Sequence, residues 1–93
     1  MSVLVELPGA LEQYAGGRAS LRLDAPGATI GSALRRLRAD YPDVHDRVID
    51  ERGELRPHVN VFIDNENIRY LRGLDTPLDE KNTVFILPAV SGG

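Results

Sequence analysis

Thr83-Val84-Phe85-Ile86-Leu87-Pro88-Ala89-Val90-Ser91-Gly92-Gly93 is the last stretch of the sequence, and its reading decides the fold. Thr83 to Leu87 is β-branched and apolar, so it reads as a strand that Pro88 stops. Five residues of small or apolar character follow, and the last two are glycines. A strand gains nothing from a Gly-Gly after it, because glycine has the most backbone freedom to lose on ordering. The ending is therefore either frayed or functional. In the functional reading the α-carboxylate of Gly93 is delivered into another protein's active site, along a channel whose walls any Cβ would strike. Five extended residues reach ~16 Å at ~3.3 Å each, far enough to carry that carboxylate off a globular body.

Working back from this strand, Gly73 to Asn82 is polar and turn-rich apart from Leu74 and Leu78, a connection able to cross the end of a sheet. Ile68-Arg69-Tyr70-Leu71 reads as a short edge strand. His58 to Asp64 alternates, with Val59, Val61 and Ile63 on one face, and Asn65-Glu66-Asn67 turns the chain. Glu51-Arg52-Gly53-Glu54 is a loop. Ahead of it the period changes. Ile30, Leu34, Leu37 and Tyr41 fall at helical spacing behind Thr29 as N-cap, and Pro42 ends that helix. Asp43 to Asp50 then starts a short second helix with Val44, Val48 and Ile49 inward.

At the front, Val3, Val5 and Leu7 share a strand face up to Pro8-Gly9, and Leu21 and Leu23 alternate with polar neighbours up to Pro26-Gly27. Ala10 to Tyr14 between them is long for a tight turn and holds a helical turn or a bulge. The order is hairpin, helix, strands, final strand. It predicts an α+β fold: one domain over residues 1–88, a mixed sheet of four to five strands with one main helix on one face, and a flexible tail over 89–93.

Composition narrows the function. The chain has 93 residues, 42% hydrophobic and 27% charged, which suits one small domain. Absence of cysteine removes disulfides, thiolate metal sites, iron–sulfur ligation and cysteine nucleophiles together. Eleven basic against 14 acidic residues leave a formal charge of −3, so nothing draws the whole molecule to nucleic acid or to an anionic membrane. No apolar run approaches the ~18 residues of a membrane span, and the N-terminus has no signal-type flank. A cytoplasmic protein is expected, with protein or small-molecule partners, no nucleic acid and no membrane.

Two stretches carry a resemblance: Val59-Asn60-Val61-Phe62-Ile63-Asp64-Asn65-Glu66-Asn67-Ile68-Arg69-Tyr70 and Ile86-Leu87-Pro88-Ala89-Val90-Ser91-Gly92-Gly93. With them the chain resembles, along essentially its whole length, the ubiquitin-like β-grasp sulfur carriers of the molybdopterin synthase small subunit and thiamine sulfur carrier type. Within that family it is most similar to the actinobacterial sulfur carrier of cysteine biosynthesis. The resemblance implies a β-grasp carrier with no catalytic residues of its own. An E1-like enzyme would adenylate the Gly93 carboxylate with ATP, and a sulfur donor would convert it to a thiocarboxylate. The chemistry is sound, because a carboxylate is a poor acyl electrophile and an acyl-adenylate has a good leaving group. Gly92, Ser91, Val90 and Ala89 would be the residues threaded into the partner.

Counting back from the diglycine, the family alignment puts Val84 and Ile86 in the core and Phe85 and Leu87 on the opposite face, and the period-2 pattern agrees. Phe62, between inward Val61 and Ile63, joins them in an apolar patch for partner docking unless a loop or the segment near Tyr70 covers it. Ordering five tail residues costs on the order of 5–10 kcal/mol, so a patch of this kind has to compensate. The partners implied are the E1-like adenylating and sulfurtransferase enzyme, a sulfur-accepting synthase and a metalloprotease that trims the tail. The acceptor stays open between cysteine, molybdopterin, thiamine and a secondary metabolite.

Other constellations carry less. His45 and His58 read as surface residues, too few for a metal site. Asp43, Asp46 and Asp50 crowd one region, but carboxylates at a helix start suit its dipole without a cation. Asp64-Asn65-Glu66-Asn67 lacks the glycine and terminal glutamate of a calcium loop. No Walker or Rossmann pattern occurs, so no bound cofactor is expected and ATP belongs to the activating enzyme. Arg35, Arg36 and Arg38 read as a solvated helix face or a weak docking site. Two alternatives remain: a ubiquitin-like modifier joined through Gly93 to protein lysines, and a β-grasp binding module whose diglycine is incidental.

Overall fold

Alternation at the N-terminus becomes β1 (Ser2–Glu6), which pairs antiparallel with β2 (Ser20–Asp24) from Ser2↔Asp24 to Glu6↔Ser20. The structure is a computed structural model and describes residues 2–24 and 29–88, the side chain of Pro88 excepted. Between the two strands, helical turns and not a bulge take up the connection: α1 (Gly9–Glu12) and a 3₁₀ turn, Gln13–Ala15. Gly16 and Gly17, at φ 68° and 84°, then reverse the chain where a Cβ would be strained.

The helical spacing after Thr29 forms α2 (Ile30–Asp40). Thr29 Oγ1 accepts the Ser32 N–H at 3.2 Å, the N-cap its sequence position predicts. Pro42 stops α2 and opens α3 (Pro42–Val48), since its ring is tolerated in a first turn and nowhere deeper. Val44, Val48 and Ile49 are buried as expected. Gly31 is the close approach of α2 to the rest of the molecule: a Cβ there would meet the Leu74 carbonyl oxygen at 2.8 Å.

The remaining strands are β3 (Val59–Ile63), β4 (Glu66–Asn67) and β5 (Thr83–Pro88). All five make one mixed sheet in the order β2-β1-β5-β3-β4. β5 is central, parallel to β1 through Leu4↔Thr83 to Glu6↔Phe85 and antiparallel to β3 through Val59↔Pro88 to Ile63↔Val84. Val3, Val5, Leu21, Leu23, Val61, Val84 and Ile86 turn one face of the sheet onto Ile30, Leu34 and Leu37 of α2 in a single core. This is the helix-on-sheet α+β architecture the sequence predicts.

Two expectations need correction. The edge strand is Glu66–Asn67, and Ile68–Tyr70 is a 3₁₀ turn followed by Leu71. Asn67 Oδ1 accepts the Arg69 N–H at 2.9 Å, a cap that winds the backbone out of extended conformation while Ile68 sinks fully into the core. Pro88 also belongs to β5 as its last residue, opposite Val59, and does not stand outside it. The expectations for the tail, 89–93, and for Pro26-Gly27 fall outside the described residues.

Candidate functional site

The face of the sheet turned away from α2 follows from the same alternation that builds the core. Phe85 and Leu87 lie between inward Val84 and Ile86, and Phe62 lies between inward Val61 and Ile63. The β3–β5 register sets Phe62 directly opposite Phe85 and Leu87 opposite Asn60. Phe62, Phe85 and Leu87 therefore come together as the sequence predicts, with both phenylalanines half-buried and Leu87 44% exposed. They line a shallow hollow of about 270 Å³ with Asp64 and Asn65. Tyr70 does not cover it, being itself 88% exposed.

The patch has a polar frame that sequence reasoning did not single out. Glu6 is the β1 neighbour of Phe85 and Asn67 the β4 neighbour of Phe62, so one row across the sheet reads Ser20, Glu6, Phe85, Phe62, Asn67. The outward phase of Glu6 was available from Val3 and Val5. Asp64, expected as part of a plain turn, adopts φ 56°, and its carboxylate accepts the Thr83 N–H at 3.0 Å and the Asn82 side-chain amide at 2.7 Å. These bonds, the Thr83 N–H foremost, hold the Asp64 carboxyl below its ordinary range. They tie the β3–β4 turn to the start of β5 and fix the edge of the hollow. Beyond it, Arg69 Nη2 donates to the carbonyls of Val59, Arg56 and Pro57 at 2.6, 3.1 and 3.2 Å, pinning the chain that enters β3. Nothing in the local sequence announces that clamp.

The histidines and carboxylates differ in part from expectation. His58 is exposed, but His45 is only 8% exposed, on the buried side of α3 between Val44 and Val48, with Nδ1 3.0 Å from Asp46 Oδ1. Asp43 lies in the first turn of α3 as its charge favours. Asp50 lies past the helix and instead accepts the N–H groups of Arg52 and Glu54 at 2.9 and 3.0 Å, organising the loop and lowering its own pKa, chiefly through Glu54. Among the described residues no group of three His, Asp or Glu is arranged to hold a metal ion. Arg35, Arg36 and Arg38 are exposed on α2, with Arg36 3.8 Å from Asp40.

Comparison with known proteins gives a consistent set of matches. Residues 5–93 match the model of the ThiS family. The chain is 36% identical over 95 residues to the sulfur carrier protein CysO of Mycobacterium tuberculosis, covering 100% of both. It is 41% identical over 66 residues to small archaeal modifier protein 3 of Haloferax volcanii, covering 71% of each. Among solved structures it superposes on a chain of the Amycolatopsis orientalis BexX/CysO complex with a TM-score of 0.84 at 31% identity, over 98% of this chain and 99% of that one.

Proposed function

The chain belongs to the ThiS family of ubiquitin-like β-grasp sulfur carriers, and from that premise we propose that its reactive group is the α-carboxylate of Gly93. An E1-like adenylating and sulfurtransferase enzyme, holding the ATP, joins AMP to that carboxylate with loss of pyrophosphate. A sulfur donor then displaces AMP and leaves a thiocarboxylate, an anionic and nucleophilic form of sulfur attached to a protein that partners recognise. The carrier supplies no catalytic group and binds no cofactor, and it works in the cytoplasm. The observation that carries this reading is the position of β5. The strand that leads into residues 89–93 is the central one, and its outward side chains, Phe85 and Leu87, lie beside Phe62.

In this reading the activating enzyme docks on Phe62, Phe85 and Leu87 and draws Ala89, Val90, Ser91 and Gly92 into its channel. Main-chain hydrogen bonds along the tail add to the binding, as in strand addition. The likeness to proteins named CysO supports a synthase of cysteine formation as the sulfur acceptor, with a metalloprotease trimming the extended tail afterwards. The described residues contain no helix long and apolar enough to cross a membrane. The test is reconstitution with the E1-like enzyme of the host, ATP and a sulfur donor, read by intact mass. A gain of about 16 Da, oxygen replaced by sulfur, is the expected result. A chain ending at Ser91 that supports sulfur incorporation equally well overturns the proposal.

A second reading has its own support. The 41% identity to a protein named a small archaeal modifier favours conjugation of Gly93 to lysines of other proteins, which uses the same adenylated intermediate. Lysine-linked adducts recovered from the native host would establish it, and Lys81, the only lysine of the chain, limits self-linkage to one site.

A further inference from the structure

On the helix side of the sheet, at the foot of β5, a groove of about 440 Å³ opens away from the Phe62–Phe85 face. Leu11, Val59 and Ile86, all buried, make its floor. Arg47, Arg56 and His58 stand around it with a single carboxylate, Asp46. The chain as a whole carries a formal charge of −3, so this is a local reversal of sign. The arginines are held in place. Arg47 lies over the Tyr14 ring at 3.7 Å from its centroid, and Arg56 Nε donates to the Asp46 carbonyl at 2.8 Å. Asp46 Oδ1 lies 3.0 Å from His45 Nδ1, and the groove holds two guanidinium groups against one carboxylate. Among the described residues neither guanidinium has a carboxylate within ion-pair distance.

Position gives the groove its meaning. Val59, on its floor, is the cross-strand partner of Pro88, the residue from which 89–93 continue. The groove therefore lies next to Pro88, within reach of a protein that closes around those residues. We propose that the groove is a second contact for the enzyme that takes up the tail, and that it receives an acidic side chain, with an apolar neighbour, from the rim of that enzyme's channel. This rests on the reading that residues 89–93 enter a partner. The apolar face supplies area, whereas the groove supplies an oriented charge, which fixes rotation about the tail and speeds encounter more than it raises affinity.

The experiment measures steady-state adenylation of the full chain by the E1-like enzyme at several salt concentrations, for wild type, Arg47→Gln, His58→Gln and Phe85→Ala. Arg47→Gln is expected to raise KM about three- to tenfold at low salt with kcat unchanged, and to flatten the dependence of KM on salt. His58→Gln should act in the same direction more weakly. Phe85→Ala should raise KM while keeping the wild-type salt dependence, a split that a merely structural role for Arg47 would not give. Equal KM and equal salt slopes for Arg47→Gln and wild type overturn the proposal. So does a free chain whose groove amides remote from the cut, Leu11, Tyr14 and Arg47, shift when residues 89–93 are removed, because the groove would then hold the chain's own tail. Failure of the wild type itself to be adenylated refutes instead the reading on which this one rests.

Discussion

Ile86 and Leu87 are neighbours on the central strand with opposite environments, and replacing each by alanine separates folding from docking. Ile86 is 0% exposed and Leu87 44% exposed. Fully burying a leucine side chain is worth roughly 1.5–3 kcal/mol, so the uncovered part of Leu87 offers a partner about 1 kcal/mol. That corresponds to about a fivefold rise in KM for adenylation of Leu87→Ala, since 1.4 kcal/mol is tenfold. The part of Leu87 already covered limits its loss of folding stability to about 1 kcal/mol. Ile86→Ala leaves a cavity in the core beside Val61, its cross-strand partner, and should lose about 2–5 kcal/mol of stability, well beyond the loss at Leu87. Urea unfolding and a pyrophosphate-release assay with the E1-like enzyme measure both. Equal KM for Leu87→Ala and wild type, with stability lowered, would refute the claim that this face docks.

Three further outcomes are expected. Phe62→Ala and Phe85→Ala, singly and together, should show a coupling of about 0.5–1 kcal/mol in unfolding free energy, because the rings are directly opposed; additive losses would contradict the register. Asp64 titrates below its ordinary value of 3.8 in the folded state. The stability it contributes is therefore complete above the unfolded value and lost as pH falls through the folded one. Urea midpoints should separate wild type from Asp64→Asn at pH 7 and bring them together as the pH falls through the lowered folded-state pKa of Asp64. Gly31→Ala places a Cβ 2.8 Å from the Leu74 carbonyl oxygen; overpacking of about 1–3 kcal/mol outweighs a helix-propensity gain of up to ~1 kcal/mol, and calorimetry should show a lower Tm.

Residues whose neighbours in sequence determine their environment were legible in advance. Thr29 caps α2, Pro42 divides two helices, and the alternation around Val61 and Ile86 separates core from patch. Ile68–Tyr70 has the composition of a strand, but one side-chain oxygen, that of Asn67, winds it into a 3₁₀ turn. His45 looked like a surface residue because histidine usually is one, and only the phase of a seven-residue helix buries it. The Arg69 clamp and the Glu6 neighbour of Phe85 join segments far apart in sequence, through carbonyls and strand order that no local window contains. The charged groove is hidden for the same reason: Arg47, Arg56 and His58 meet only because α3 and the entry to β3 converge on Val59.

Placing the last strand between two others has a mechanical consequence. An enzyme that tugs on the end of this protein pulls along the axis of β5, which is flanked by β1 on one side and β3 on the other. Such a load runs parallel to both ladders and strains many bonds at once in shear. A terminal strand lying on the rim would instead peel away one bond at a time. A body built this way would withstand such traction.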